Sequence, residues 1–232
     1  MVLLSLAIST ALASQGVGWA GWNVDFDCIG GPFELGGGAP NIWFAGAAGQ
    51  PGPWNAVPMR GNVTQRLVGT DLVLQDVMYV GYGMSGAGFY YNDPYNLGDY
   101  RRLMNDYNRM FLPRAEFKVT GVRNGWYRVY TYAASPMRVR IPVKISVSGS
   151  EFQVVTGPMR PNHFEHLVTH SIHDVHVTNN TIWWVFEKDP WAGPVAINGF
   201  QVVPLKESGG SGIREDGWSS ALTQGPPWVS MM

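Results

Sequence analysis

The chain has 232 residues, of which 45% are hydrophobic and 14% are charged. Its 16 basic and 17 acidic side chains leave a formal net charge of −1, so the sequence lacks the positive field with which proteins hold nucleic acid. Aromatic residues make up 13%, and 29 Gly and 16 Pro supply many turns, a mixture typical of an all-β sandwich or barrel rather than a helical bundle.

The chain begins with an apolar run, MVLLSLAISTALASQ, which contains the A-x-A cleavage pattern Ala11-Leu12-Ala13. This pattern predicts a signal peptide over residues 1–13 and a secreted or cell-surface protein. No Lys or Arg precedes Arg60, so the basic part of a signal peptide is missing, and the alternatives are a truncated start or an apolar first strand. We expect no membrane-spanning segment, because this run and every later one are too short.

Residues 22–27 (WNVDFD) alternate as a first strand does. Residues 30–61 are dense in Gly and Pro and predict a long loop that carries the motif GPWNAV. An extended segment follows over residues 65–82. The stretch NLGDYRRLMNDYNRMF, residues 96–111, predicts one short helix, because its apolar positions recur at i, i+4 and i+7: Leu103, Tyr107 and Met110.

From Arg114 onward the segments AEFKVTGV, GWYRVYTYA and VKISVS predict β-strands, the last by strict alternation of apolar and polar residues. The segment VAINGFQVVPL predicts the closing strand of the domain. Beyond Leu205 the composition changes to that of a flexible linker. The sequence therefore predicts one antiparallel β-sandwich over residues 22–205, followed by a linker and C-terminal tail over residues 206–232.

All five histidines fall within residues 163–176. On a helical wheel four of them cluster on one side, but the segment is rich in β-branched residues, which favour a strand. Because Asn179-Asn180 suits a two-residue turn between extended runs, we predict a hairpin in which His176 faces Trp183.

Alternation along this hairpin directs its apolar residues to the core, namely Val175, Val177, Ile182 and Trp184. His176 and Trp183 then point outward, His173 shares the core side, and the other histidines fall in the preceding loop or strand entry. Histidines divided between two faces do not offer a closed tetrahedral site, so we predict no metal and a mostly solvated cluster.

The sequence lacks the short motifs of common enzymes, such as a nucleophile elbow, a zinc-protease helix or a dinucleotide fingerprint. GYGMSGAG resembles a phosphate loop in composition only, and no spacing of the aspartates marks a general acid and base. Cys28 is the only cysteine, so an internal disulfide is excluded. A lone cysteine of this kind is usually a small buried hydrophobic residue. We therefore predict no catalytic residue and no cofactor.

The order of the segments resembles a known group of proteins. The resembling features are NVDF near the start, GPWNAV, LMNDYNRMF before FKVTGVRNGWYRVYTYA, ISVSGS, FEHLVTHSIHDVHVTNNTIWWVFE and the terminal AINGFQVVPL. Over residues 22–205 they resemble secreted proteins of planctomycetes and related bacteria with the galactose-binding-domain-like jelly-roll fold. The resemblance implies that fold and a tendency to bind glycans, and its motifs carry no catalytic signature.

Three functions stay open. The first is a non-catalytic carbohydrate-binding module, since sugars need exposed aromatic rings beside hydrogen-bonding groups. Its candidate ligand-binding residues are Trp54, Asn55, His176, Trp183 and Trp191. Core packing is the alternative role for each of these tryptophans. The second function is a structural or interaction subunit of an extracellular or cell-surface assembly, whose partner is a neighbouring protein subunit, and the third is a secreted hydrolase.

Overall fold

The structure is a computed structural model that describes residues 20–26, 38–57, 63–82, 88–135, 137, 140–158 and 160–205. The predicted signal peptide, the C-terminal tail and Cys28 lie outside these residues. Within the described residues, the helix is too short and too polar to cross a membrane.

The described residues form one helix and fourteen strands. In chain order they are β1 (Trp22–Asp25), β2 (Trp54–Ala56), β3 (Thr64–Val68), β4 (Leu74–Tyr82), β5 (Gly88–Tyr90), α1 (Gly98–Asn105), β6 (Asp106–Met110), β7 (Arg114–Thr120), β8 (Gly125–Tyr132), β9 (Val143–Val147), β10 (Gln153–Val155), β11 (His170–Val177), β12 (Thr181–Glu187), β13 (Val195–Ile197) and β14 (Gly199–Pro204).

These strands form two large sheets and one small one. The five-stranded sheet has the order β11-β8-β14-β1-β2, the six-stranded sheet has the order β10-β9-β12-β7-β4-β3, and β13, β6 and β5 form the third. Neighbours are antiparallel except for the parallel pair of β1 and β2. The predicted all-β antiparallel sandwich with one short helix is therefore confirmed.

Aromatic rings from both large sheets fill the core between them. Trp184 stacks on Phe117 within the six-stranded sheet and meets Phe200 of the five-stranded sheet, at centroid distances of 4.6 and 4.7 Å. Its indole Nε1 donates a hydrogen bond of 3.0 Å to Thr131 Oγ1 on β8. Because buried polar groups need a partner, this bond lets a Trp lie at the centre of the sandwich.

The predicted hairpin is wrong. The strands β11 and β12 do not pair, because β11 lies at the edge of the five-stranded sheet and β12 lies inside the six-stranded sheet. The connection between them crosses the sandwich, and Asn180 ties it to the preceding β7–β8 loop by donating to Val122 O. Each strand buries its apolar row against a different part of the facing sheet: β11 packs on β9 and β10, whereas Trp184 of β12 packs on Thr131 of β8 and Phe200 of β14.

The inward and outward assignment made from alternation is nevertheless confirmed. The residues Val175, Val177, Ile182, Trp184 and His173 are buried. His176 and Trp183 are exposed. The side chain period of two depends on the strand itself and not on its partner, so it holds although the pairing differs.

The predicted helix is shorter than expected. It ends at Asn105, and the continuation that contains Tyr107 and Met110 is β6. β6 pairs with β5 and β13, and these cross-strand hydrogen bonds override the helical spacing of the apolar residues. The helix packs Tyr100, Leu103 and Met104 with Trp54 and Tyr132 in a second, smaller core.

Candidate functional site

The outer face of the five-stranded sheet carries a row of aromatic and charged side chains. β8 alternates, so Tyr127 and Val129 point into the core while Trp126, Arg128 and Tyr130 point outward. Across β11 the residues opposite these three are His176, Asp174 and Ile172. We call the surface formed by Trp126, Arg128, Tyr130, Asp174 and His176 the platform.

Trp126 and His176 stack on each other in the platform. Their ring centroids are 4.7 Å apart and their planes differ by 16°. Trp126 is 44% exposed, which is unusual for the largest apolar side chain on a sheet whose other face is a packed core. The stacked pair holds the indole in one orientation and leaves an aromatic surface open to solvent.

The second row of the platform is an ion pair. Arg128 donates from Nε to Asp174 Oδ1 at 2.7 Å and from Nη2 to Oδ2 at 2.8 Å, and both side chains are 43% exposed. The hydrogen bond that Arg128 donates to Asp174 raises the pKa of Arg128 above its ordinary value, and the Tyr130 hydroxyl adds to this effect. Two parallel bonds between planar groups fix both side chains in one geometry.

One end of the platform is closed by part of the second core, which we call the wall: Phe44, Trp54, Tyr132 and Phe164. Beyond Tyr130 the next outward residue of β8 is Tyr132, which is buried under Phe44, Phe164 and Trp54. The Tyr132 hydroxyl accepts a hydrogen bond of 2.7 Å from the backbone N of Ala47. This second core therefore fixes where the exposed part of the sheet ends.

Two of the predicted ligand-binding residues are buried: Trp54 is part of the wall, and Asn55 is the next residue of β2. Trp54 is buried and donates from Nε1 to Phe44 O at 2.9 Å. The buried Asn55 donates from Nδ2 to Asn23 O and Val68 O, and its Oδ1 accepts from Val68 N at 2.7 Å. Their polar atoms are already bonded within the protein, so neither is part of the platform.

Trp183 lies on the other side of the molecule. It is on the outer face of the six-stranded sheet, where it pairs with Lys118 and is 39% exposed. His176 therefore does not face Trp183, and the predicted neighbourhood of these two residues is wrong. The structure puts Trp126 in the position that the hairpin assigned to Trp183.

Trp191 is 92% exposed in the loop that follows β12. Asp189 Oδ1 accepts a hydrogen bond from Trp191 N, and Lys188 Nζ donates to the carbonyls of Asp189 and Ala192. The loop is thus held by its own polar groups and presents the indole to solvent. The loop follows the last residue of β12, Glu187. Trp126 lies near the opposite end of β12, beside the connection between β11 and β12, so Trp191 is not part of the platform.

Two histidines of β11, His170 and His173, have pKa values below the ordinary one. Burial, followed by the proximity of His166, lowers the pKa of His170 to about 4, and burial also lowers the pKa of His173. In the part of the chain that the structure describes, no three His, Cys, Asp or Glu residues are grouped so as to hold a metal ion. The expected absence of a metal stays a prediction.

A cleft of about 290 Å³ lies at the end of the sandwich, beside Trp22, Gln75 and Tyr127. Both of its aromatic residues are buried, Trp22 Nε1 donates to Gln75 Oε1, and the Tyr127 hydroxyl donates to Arg123 O. These polar atoms are already paired, so the cleft offers a ligand less than the platform does.

The sequence contained a signal for the platform. In GWYRVYTYA the residues Trp126, Arg128 and Tyr130 alternate with the core residues Tyr127 and Val129. Such alternation separates an outward aromatic row from an inward one. Asp174 is 46 residues away from Arg128 in the sequence, and only the pairing of β11 with β8 brings the two side chains together.

No protein-family model matches this chain, and no curated protein matches it. Several solved structures show partial similarity to this chain. A β-glucuronidase 2 mutant of Bacteroides uniformis aligns with 55% of this chain at 14% identity and a TM-score of 0.38, and the chain spans 14% of that protein.

Two smaller structures align over most of their own length. The CBM36-1 domain of a multidomain xylanase, from the hindgut metagenome of Trinervitermes trinervoides, aligns with 56% of this chain and 90% of its own, at 9% identity and a TM-score of 0.28. TmCBM61 in complex with β-1,4-galactotriose aligns with 56% of this chain and 89% of its own, at 14% identity and a TM-score of 0.31.

Proposed function

We propose that the chain is a non-catalytic carbohydrate-binding module and that the platform binds the glycan. The observation that carries this proposal is the exposed indole of Trp126, held by His176 beside the Arg128–Asp174 pair. An extracellular location, as expected from the leader, is part of the proposal.

The platform combines the two kinds of contact that a sugar ring needs. The apolar C–H face of a pyranose ring packs on an aromatic face, and the hydroxyl groups at its edge donate and accept hydrogen bonds. Trp126 supplies the aromatic face. Arg128 supplies N–H donors and Asp174 supplies acceptors immediately beside it, at the next outward position along the strands.

The shape of the platform favours a chain of sugars over a single sugar. Trp126 and Tyr130 are four residues apart on β8, a distance of about 13 Å along a strand. Among the described residues, the surface is open at the Trp126 end and closed at the Tyr132 end by the wall. An oligosaccharide lying along β8 would contact Trp126, the ion pair and Tyr130 in succession.

Binding without hydrolysis is proposed because of the carboxyl groups on the platform. Glycosidases use two carboxyl groups on opposite sides of the scissile bond. Asp174 is the single carboxylate among the platform residues and is bonded to Arg128.

The test is a glycan array followed by titration calorimetry on the best ligand. Trp126→Ala should weaken binding by about 1–3 kcal/mol, through loss of the stacking surface. Trp183→Ala and Trp191→Ala are matched controls, because both residues are exposed tryptophans on other surfaces. If Trp183→Ala or Trp191→Ala abolishes binding while Trp126→Ala does not, the site lies where the sequence alone had suggested and not on the platform.

A second candidate is an interaction subunit of an extracellular assembly. The observation that favours it is the 92% exposure of Trp191. Phe111 and Leu112, which are half-exposed, lie on the β6–β7 connection, and Lys188 N donates a hydrogen bond to Pro113 O of that connection. Exposed aromatic anchors of this kind are enriched at protein interfaces. Sedimentation of the full chain should show self-association that Trp191→Ala removes; a monomer at all concentrations would count against self-association through this loop.

A further inference from the structure

We infer that the platform selects uncharged sugar chains and discriminates against chains that carry carboxylate or sulfate groups. This inference rests on the proposed function and names its ligand class. The observation behind it is the bidentate pairing of Arg128 with Asp174 at the centre of the platform.

Pairing leaves both residues able to bond hydroxyl groups. A guanidinium group has five N–H donors, and Asp174 takes one from Nε and one from Nη2. Each carboxylate oxygen keeps a further lone pair. Because a hydroxyl group both donates and accepts, neighbouring hydroxyls of one sugar can accept from Arg128 and donate to Asp174 together.

An anionic sugar meets a different situation. A carboxylate or sulfate group accepts hydrogen bonds and cannot donate to Asp174. The two-bond geometry with which Arg recognises a planar anion is already occupied by Asp174 itself. The ligand's charge would also lie beside the charge of Asp174, and like charges repel.

The charges exposed along the described platform strands balance. Arg128 and Asp174 contribute one positive and one negative charge, and the neighbouring outward residues are Trp126, Tyr130, Ile172 and Val203. Arg128 therefore has no surplus positive field with which to attract an anion. Removal of the Asp174 charge would create one.

The chain offers a matched control on the opposite sheet. Arg114 donates from Nε to Glu116 at 2.8 Å and from Nη1 to Glu187 at 3.1 Å, so it is also an exposed arginine neutralised by carboxylates. Glu187→Gln frees part of this charge on a surface that the proposal does not use. It alters net charge by the same amount as Asp174→Asn.

The experiment uses the full chain and a pair of ligands that differ only at C6, where a hydroxymethyl group is replaced by a carboxylate. The best neutral polysaccharide from the array is compared with the same polysaccharide oxidised at C6 to the uronate, by titration calorimetry and affinity electrophoresis. The wild type should bind the neutral form at least about tenfold more tightly. Asp174→Asn should weaken neutral binding and improve binding of the oxidised form, so that the preference shrinks or reverses, whereas Glu187→Gln should behave as the wild type does.

A salt series checks the same point without a substitution. Affinity of the wild type for the neutral ligand should be nearly constant with ionic strength, whereas binding of Asp174→Asn to the oxidised ligand should weaken as salt rises. Equal or tighter binding of the oxidised form by the wild type would overturn the inference while leaving glycan binding intact. An unchanged preference in folded Asp174→Asn would do the same. If the wild type binds no glycan, the proposed function fails, and the inference fails with it.

Discussion

His176 stacks on Trp126, which lies directly opposite it on the neighbouring strand, with ring planes 16° apart. The pair joins β11 to β8 on the outer face of the five-stranded sheet. The bidentate pair of Arg128 and Asp174 is the adjacent outward row of the same surface.

The stack should contribute measurably to stability. In a double-mutant cycle with Trp126→Ala and His176→Ala, we expect a coupling free energy of about 0.2–1 kcal/mol, since cross-strand aromatic pairs stabilise sheets by that amount. Urea unfolding of the two single variants and the double variant measures it. Coupling between His176→Ala and Trp183→Ala should be near zero; the reverse result would support the hairpin that the structure excludes.

Trp184 should be the most costly tryptophan to truncate. It packs between Phe117 and Phe200 and donates to Thr131 Oγ1, so Trp184→Ala should lower the free energy of unfolding by about 3–5 kcal/mol. Equilibrium urea denaturation is the measurement. Trp191→Ala is the control, and its effect should stay within about 0.5 kcal/mol because the side chain is exposed. Similar losses in both variants would contradict the described core.

Tyr132 should hold the wall in place. Its hydroxyl donates to Gln201 Oε1 and accepts from Ala47 N, so Tyr132→Phe removes both hydrogen bonds. Gln201 Oε1 keeps the bond from Ala48 N, whereas Ala47 N loses this acceptor. We expect a loss of about 1–3 kcal/mol and faster amide exchange at Ala47. Tyr130→Phe on the same strand, where the side chain is half-buried on the outer face, should change stability little. Unchanged exchange at Ala47 in Tyr132→Phe would show that the hydroxyl does not hold this loop.

Stability should fall in acid through His170. Burial lowers its folded-state pKa to about 4 from an ordinary value near 6.5, so the unfolded chain binds the proton more readily between these values. Stability from this group is therefore complete above about pH 6.5 and is lost as the pH falls towards 4. The loss should be on the order of 3 kcal/mol, which follows from the size of the shift.

Urea unfolding at neutral pH and near pH 4.5 measures this dependence. His170→Asn removes the titrating ring and leaves an amide that can donate to Thr169 Oγ1 or accept from it, so its stability should depend less on pH than that of the wild type. The exposed His163→Asn is the control and should follow the wild type. If His170→Asn loses stability in acid as the wild type does, protonation of this ring is not the cause.

The sequence predicted the class of fold and which strand residues point inward. Alternation in VKISVS and around His173 and Val175 follows from the geometry of a single extended strand, so it can be read locally. The end of the helix could not be read in this way. The apolar spacing of Leu103, Tyr107 and Met110 suits a helix, whereas pairing of β6 with β5 and β13 makes the last two residues part of a strand.

The candidate site was predicted in part. His176 was recognised as an outward residue, whereas Trp54 and Asn55 were chosen for their residue types and are bonded inside the protein. Type alone does not separate a binding tryptophan from a core tryptophan, because both roles depend on what covers the ring.

Outward direction is thus a property of the chain's own alternation, and the sequence by itself determined it for His176 and Trp183. Which residue lies beside each of them was decided by the tertiary structure. Two strands joined by a short turn can pair in one sheet or cross between two, and the local sequence around Asn179-Asn180 suits both. The apolar row of β11 is buried against β9 and β10, and Trp184 of β12 is buried against β8 and β14, so the two strands lie in different sheets. The pairing of β11 with β8 then brings Trp126 rather than Trp183 to His176.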